Sequence, residues 1–254
     1  MPVDLAPADV ARWRRDWEAM MGHYQPGRAS LVAAGLHAVT TMLGRQPERI
    51  LDLGGGPGTI AELFSGRWPQ ARVTVLDIDP VLLALAETAL PERTDSVQAD
   101  LSSPAWVARV SGPYDLIWAI MTTHYLPEQR LRRWYVETRR VLRPHGLLLV
   151  ADTIPDGPPV PTTSDGRGGT GQIGHGGAEE PWRDWWDRLA GVASMAPLLR
   201  RRAAVLAGLP DAEFVAPGRW HRETASQAGF EHAGTLWRNG DQALVAFRAT
   251  GETL

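Results

Sequence analysis

The run Ile50-Leu51-Asp52-Leu53-Gly54-Gly55-Gly56-Pro57-Gly58-Thr59 constrains this chain more than any other stretch. Four residues of a buried strand carry an acid near their end, break into a glycine turn and open a helix at Thr59. Glycine is required where a backbone takes positive φ or passes close to a ligand. Glycines at alternate positions 54, 56 and 58 leave a bare floor on which a ligand can lie against the main chain. Open α/β sheets bind ligands at such turns, at the carboxyl ends of their strands.

The spacing is G-x-G-x-G, with Asp52 two residues before the first glycine. The dinucleotide fingerprint is instead G-x-G-x-x-G with an acid some twenty residues on. Further strands follow in order. Arg72 to Asp79 is a β-branched, apolar run ending in acids, with Pro80 opening a helix; Val97 to Leu101 is a short strand with Asp100 at its end. Tyr114 to Ile120 is a fourth strand, and Val141 to Asp152 reads as a helix end, a turn and a fifth strand. Together these segments resemble the ordered motifs of the class I S-adenosylmethionine-dependent methyltransferases, from about residue 8 to residue 249. The Leu142-Arg143-Pro144-His145-Gly146 turn resembles their "LRPGG" element, with His145 at the usual first glycine.

Around this core, residues 8–21 and 29–43 read as two helices, the second with Leu31, Val32, Leu36, Val39 and Leu43 near helical spacing. Residues 155–181 are rich in Pro and Gly, with eight glycines between 157 and 177, a composition expected of a mobile lid or a disordered segment. A helix is predicted over 182–207, where Trp182, Trp185, Trp186 and Leu189 share one face, and another over 219–228. Asn239-Gly240 is a two-residue hairpin signal between Glu231–Trp237 and Gln242–Arg248. The expected architecture is an α/β, Rossmann-like, seven-stranded, mainly parallel sheet whose last strand is antiparallel, with a helical cap. Residues 1–47 form an N-terminal helical cap, 48–154 and 219–250 the core, and 155–218 a loop and helical cap insertion.

The family resemblance implies S-adenosyl-L-methionine as cofactor. It places the backbone of Gly54, Gly56 and Gly58 against the methionine and ribose portions, and Asp52 at the loop and the amino group. Asp77 is expected on the ribose hydroxyls, with Asp79 as either a second acid or the N-cap of the next helix. Asp100 and Leu101 are expected at adenine, with Ile78 and Ile120 as further contacts. Tyr24 and Arg28 fall where family members bind the cofactor carboxylate; the alternative for Arg28 is a solvated residue at a helix start. Met121-Thr122-Thr123-His124-Tyr125-Leu126-Pro127 resembles the "LHxLP" stretch that lines the site in small-molecule members. His124 is therefore the first candidate for a general base, because histidine titrates near neutrality, and a purely structural histidine is its alternative. Asp152 and His221 are further catalytic candidates, and His175 reads as a solvated loop residue. In-line methyl transfer asks for little beyond holding the reactants, an effect that can be worth roughly 7–11 kcal/mol.

Other classes are argued down. Trp118-Ala119-Ile120-Met121 stands where nucleic-acid amino-methylating enzymes carry an Asn/Asp-Pro-Pro-Tyr/Phe element. The arginines at 130, 132, 133, 139 and 140, and those at 200–202, read as solvated helix faces, and a formal net charge of -3 gives no general attraction to nucleic acid or anionic lipid. No metal is expected, because Asp152 stands without further hard ligands. No apolar run approaches the length of a membrane span. The first residues lack the pattern of a signal peptide. The absence of cysteine excludes disulfides and fits a cytoplasmic enzyme. Eleven tryptophans, many outside the strands, suggest either an aromatic cavity or packing of the cap, and the face at 182–189 either a pocket wall or a homodimer interface. The expected function is methyl transfer to a small-molecule acceptor such as a secondary metabolite, at O, N or C. The alternatives are intramolecular cyclisation of the same cofactor, binding without turnover, and nicotinamide redox chemistry.

Overall fold

The computed structural model describes residues 5–156, 180–209 and 214–251. His175 and nearly all of the glycine-rich stretch lie outside the described residues. In chain order the elements are α1 (Pro7–Tyr24), α2 (Arg28–Leu43), β1 (Arg49–Leu53), α3 (Thr59–Arg67), β2 (Arg72–Asp77), α4 (Pro80–Ala89), β3 (Thr94–Gln98), β4 (Tyr114–Ile120), α5 (Glu128–Val141), β5 (Leu142–Thr153), α6 (Glu180–Ala190), α7 (Ala196–Leu206), α8 (Gly218–Gln227), β6 (Phe230–Asn239) and β7 (Gln242–Ala249).

The seven strands form one sheet in the order β3-β2-β1-β4-β5-β7-β6. The first five are mutually parallel, and β7 runs antiparallel between β5 and β6. This is the expected sheet with its antiparallel final strand. The order reverses between β1 and β4, whose carboxyl ends lie side by side through the Leu53–Ala119 pair, so the glycine turn opens at the topological switch point.

Period-two alternation divides the core between the two faces of the sheet. Leu51, Leu53, Ile117, Leu148 and Val150 point toward Trp134 and Tyr135 of α5. Ile50, Trp118, Leu147 and Leu149 point toward α2 and α3, where Phe64 and, just after α3, Trp68 are fully buried. Gly35 lets α2 approach closely, since a Cβ there would stand 2.1 Å from the Trp118 ring. A third cluster joins α1, α4 and α6 through Trp13, Trp17, Val81, Leu85, Trp185 and Leu189. Trp185 meets Trp13 and Trp17 edge-on at 5.7 and 5.1 Å, so the centre of the tryptophan face on α6 is spent on packing against α1.

Three local expectations differ from what is observed. The helix predicted over 182–207 is two helices, broken at Gly191 and restarted with Pro197 in the first turn of α7. β3 begins and ends earlier than its sequence pattern, because the Asp100 carboxylate accepts from the Ser102 backbone N–H (2.7 Å) and hydroxyl (2.5 Å) and turns the chain. Two of the arginines of α5 are not solvated. Arg139 is buried and donates to the carbonyls of Gly229 (3.2 Å) and Thr250 (2.8 Å), while Arg130 forks onto Glu137 at 2.6 and 2.8 Å. His145 takes positive φ (61°), the conformation for which glycine is the usual residue.

Candidate cofactor and active site

The turn after β1 holds Gly54, Gly56 and Gly58 at φ 68°, 54° and 74°. Its first half is tied to β2: Gly54 and Gly55 donate to the Leu76 carbonyl at 2.8 and 3.2 Å, and Gly56 donates to Asp77 Oδ2 at 2.8 Å. A cavity of about 60 Å³ lies on the loop, walled by Gly54–Gly56, Asp52, Thr59, Ile60, Ile120, Met121 and, from the N-terminal helices, Trp17, Met21 and Arg28. Of the predicted residues it thus brings together Arg28, Asp52, Gly54, Gly56 and Ile120. Asp52 is 2 % exposed, and its Oδ2 has no hydrogen-bond partner. Burial pushes its carboxyl up to about 7, against the pull of the Arg28 guanidinium.

Asp77 lies beneath the loop rather than in the wall. Its Oδ1 accepts from the Asp79 backbone N–H at 2.9 Å, and burial raises its carboxyl to about 6. Asp79 caps α4, accepting from the N–H groups of Val81 and Leu82, and pairs with Arg202 of α7, which stacks on Trp186 at 3.7 Å. Gly58 sits behind the loop, where a Cβ would meet Leu90. Tyr24 does not line the cavity; its hydroxyl accepts from the Trp182 backbone N–H at 3.2 Å. Ile78 offers its carbonyl to Gln98, Asp100 is engaged with Ser102, and Leu101 is buried in the α5-side core.

The three catalytic candidates fall in two buried pairs, and none of them lines the cavity. His124 Nδ1 bonds to Asp152 Oδ1 at 2.7 Å, and Asp152 Oδ2 accepts from the Thr123 N–H (2.9 Å), the Thr123 hydroxyl (2.7 Å) and the His124 N–H (3.2 Å). Burial alone would raise the Asp152 carboxyl; the imidazole and these donors hold it at about 2. His221 Nδ1 meets the Tyr135 hydroxyl at 2.7 Å on the α5 side of the sheet, and burial lowers its ring to about 4.

Residues 50–146 match the model of a family described as a methyltransferase domain. The chain is 35% identical over 149 residues to a trans-aconitate 2-methyltransferase from Azoarcus sp., covering 59% of this chain and 51% of that protein. It therefore spans about half the length of this curated relative. An O-methyltransferase family protein from Burkholderia thailandensis superposes with a TM-score of 0.56 at 17% identity, over 95% of this chain and 63% of that one. Human N-acetylserotonin methyltransferase in complex with S-adenosylmethionine gives 0.54 at 18%, over 94% and 56%. At these identities the structures share the fold alone. Residues 50–146 are thus similar in sequence to methyltransferase domains, and the fold as a whole is the one these methyltransferase structures share.

The human N-acetylserotonin methyltransferase structure of this fold holds S-adenosylmethionine, and the residues around the cavity here fit the amino-acid end of such a ligand. The Asp52 carboxyl, one of whose oxygens lacks a partner, borders the same space as a buried guanidinium, a pair complementary to an ammonium and a carboxylate on one ligand.

Residues that sequence reading missed come from α1. Arg14, Trp17, Glu18 and Met21 follow one another at i, i+3, i+4, i+7 and so share a face. Arg14 is buried and donates to the carbonyls of Pro57 (2.8 Å) and Gly58 (3.0 Å), clamping the glycine turn. Glu18 bonds to Arg28 (2.7 Å) and to the Thr59 hydroxyl (2.9 Å). Their signal was a pair of charges interleaved with two aromatic and methionine positions on one helical stripe. Among the described residues no metal-binding cluster occurs, and no helix is long and apolar enough to cross a membrane.

Proposed function

We propose that this protein transfers a methyl group from S-adenosylmethionine to a small-molecule acceptor. The observation that carries the reading is the shared cavity of Arg28, the unpartnered Asp52 Oδ2 and the positive-φ glycine turn. When bound, the cofactor supplies a methyl already activated on a sulfonium. Asp52 and Arg28 hold its ammonium and carboxylate. The loop amides, held in place by Asp77 beneath them, would face the ribose side, and Trp17 and Met21 would keep water from the loop. Asp152 fixes the proton of His124 on Nδ1, which leaves Nε2 as the basic nitrogen that takes a proton from a hydroxyl or amine acceptor. A carboxylate acceptor, as in the relative named for trans-aconitate, needs no such base.

The test is incubation of the purified protein with S-adenosylmethionine and two acceptor panels. One is di- and tricarboxylic acids, after the relative; the other is hydroxylated aromatics, after the tryptophan-rich cap. The expected product is S-adenosylhomocysteine in step with a methylated acceptor. Methylthioadenosine in its place would mean cyclisation. Calorimetric uptake without product across both panels would mean a binding protein, and uptake of a nicotinamide dinucleotide but not S-adenosylmethionine would reject the assignment.

A further inference from the structure

Arg28 is 7 % exposed and lines the cofactor cavity, yet its guanidinium is already engaged. Its Nε donates to Glu18 Oε1 at 2.7 Å and one terminal nitrogen to Gln25 Oε1 at 3.0 Å. The second oxygen of Glu18 accepts from the hydroxyl of Thr59, the first residue of α3. A carboxylate of the chain itself therefore bridges a buried arginine and the opening turn of the helix that follows the glycine loop. Both features favour an anion: the guanidinium through charge-assisted hydrogen bonds, the helix start through its unsatisfied amides and dipole. A ligand with a carboxylate beside its ammonium would need that position.

The same ion pair separates two spaces. Arg28 lines the inner cavity of about 60 Å³ and also an outer groove of about 500 Å³ between α1 and α2, which Arg15, Glu18, Gly22, Gly27 and Ala29 complete. The inner space is far below the roughly 300 Å³ or more of a cavity that encloses a small organic ligand. Side chains in the wall must yield before a nucleoside-sized cofactor fits. The two partners differ in what yielding costs them. The Arg28 side chain is 8 % exposed and that of Glu18 is 41 % exposed. Glu18 can regain water in the groove it already borders, whereas Arg28, once released, would stay buried with only Asp52, itself raised by burial to about 7, as a nearby acid.

We propose that Glu18 is a resident stand-in for the cofactor's carboxylate: it holds Arg28 and surrenders it, turning into the α1–α2 groove, when the cofactor binds. This rests on the methyltransferase reading and adds a built-in competitor to it. Glu18 then weakens every ligand that carries the amino-acid head and is silent toward ligands that lack it. If Arg28 is released from Glu18 about one-tenth of the time, apparent affinity for a head-bearing ligand is lowered about tenfold.

Calorimetry on the full chain with two probes tests this. S-adenosylhomocysteine carries the amino-acid head; 5′-methylthioadenosine keeps the nucleoside and lacks it. Glu18→Gln and Glu18→Ala are expected to tighten S-adenosylhomocysteine about tenfold and leave methylthioadenosine unchanged. Arg28→Gln should weaken S-adenosylhomocysteine alone, and adding Glu18→Gln to it should bring no recovery. Weaker binding of S-adenosylhomocysteine by both Glu18 variants would overturn the proposal and make Glu18 a strut for Arg28. Equal shifts for the two probes would overturn it as well. If the unaltered protein takes up neither probe, the cofactor site itself is wrong; if it takes up both and the Glu18 variants do not discriminate, only the stand-in role fails.

Discussion

His124 Nδ1 and Asp152 Oδ1 stand 2.7 Å apart, both side chains buried where the chain leaves β4 and β5. The neighbouring strands β4 and β5 bring the two within reach, and the short helical turn after β4 presents the imidazole to the acid. For an acceptor that must lose a proton, His124→Gln is expected to lower kcat by about 10²–10⁴-fold while leaving cofactor affinity intact. For a carboxylate acceptor it should change kcat little. Steady-state kinetics with one acceptor of each kind, alongside cofactor calorimetry, decides whether His124 moves protons or only shapes the turn.

The other half of that pair is a stability prediction. Asp152 satisfies the Thr123 N–H, the Thr123 hydroxyl, the His124 N–H and the imidazole at once. Asp152→Ala strands those donors in a buried site and is expected to cost about 3 kcal/mol or more in urea unfolding. Asp152→Asn keeps an acceptor oxygen and should cost less.

Cofactor affinity should depend on pH through Asp52. Its carboxyl is raised to about 7 in the cavity, so at mildly acidic pH it is protonated and cannot pair with an ammonium. Asp77, raised to about 6, acts in the same direction. Affinity for S-adenosylhomocysteine is expected to rise from about pH 5 to about pH 8 and then level. Asp52→Asn should bind more weakly at pH 8 and lose the upper part of the rise. A profile that Asp52→Asn leaves unaltered would remove Asp52 from the ammonium site.

How much of this was legible in the sequence follows from the range of the interactions involved. The glycine turn and the acids ending β1 and β2 were readable because their requirement is local: three positive-φ positions in five residues, and a carboxylate at a strand end. The antiparallel β7 was readable from the Asn239-Gly240 turn. The cover of the site was not. Arg14, Trp17 and Glu18 meet the loop because α1 docks across it, and that docking is fixed by Trp13 and Trp17 against Trp185, far away in the chain. Asp100 was misplaced at a strand end because its side chain competes with the strand for the Ser102 amide. The break at Gly191 was hidden by a helical stripe strong enough to mask a single glycine.

The glycine turn itself can be probed by comparing two glycines of nearly equal φ. Gly54 is at 68° and a Cβ there would stand 2.3 Å from Thr122 Oγ1, whose hydroxyl is held by the Leu53 and Ile120 carbonyls. Gly44, at the end of α2, is at 69° with nothing within 4 Å. Gly44→Ala is expected to cost about 1 kcal/mol, the conformational part alone. Gly54→Ala adds the clash, is expected to cost about 2–3 kcal/mol, and should abolish cofactor binding. Equal costs in urea unfolding would mean that Thr122 moves aside freely.

The His221–Tyr135 pair makes the last prediction, one of stability against pH. Burial lowers His221 from 6.5 to about 4 in the folded protein, and its ring bonds to the Tyr135 hydroxyl and the Ala216 backbone. Between those two values the unfolded chain binds the proton and the folded chain does not. The stability contributed by the neutral ring is therefore full above about pH 6.5 and is lost as pH falls through about 4, to a limit of about 3 kcal/mol. Asp52 and Asp77 oppose this. Their folded values are raised, so their burial is costly at neutral pH and that cost is relieved as pH falls through about 7 and 6. The unaltered protein should accordingly show a shallow profile in which the two effects partly cancel. His221→Gln removes one of them, so the difference in urea-unfolding free energy between the unaltered protein and the variant should shrink steadily from pH 7 to pH 4. Parallel profiles would mean that the ring takes up its proton in the folded state as easily as in water, and that the Tyr135 hydroxyl is not held by a neutral imidazole.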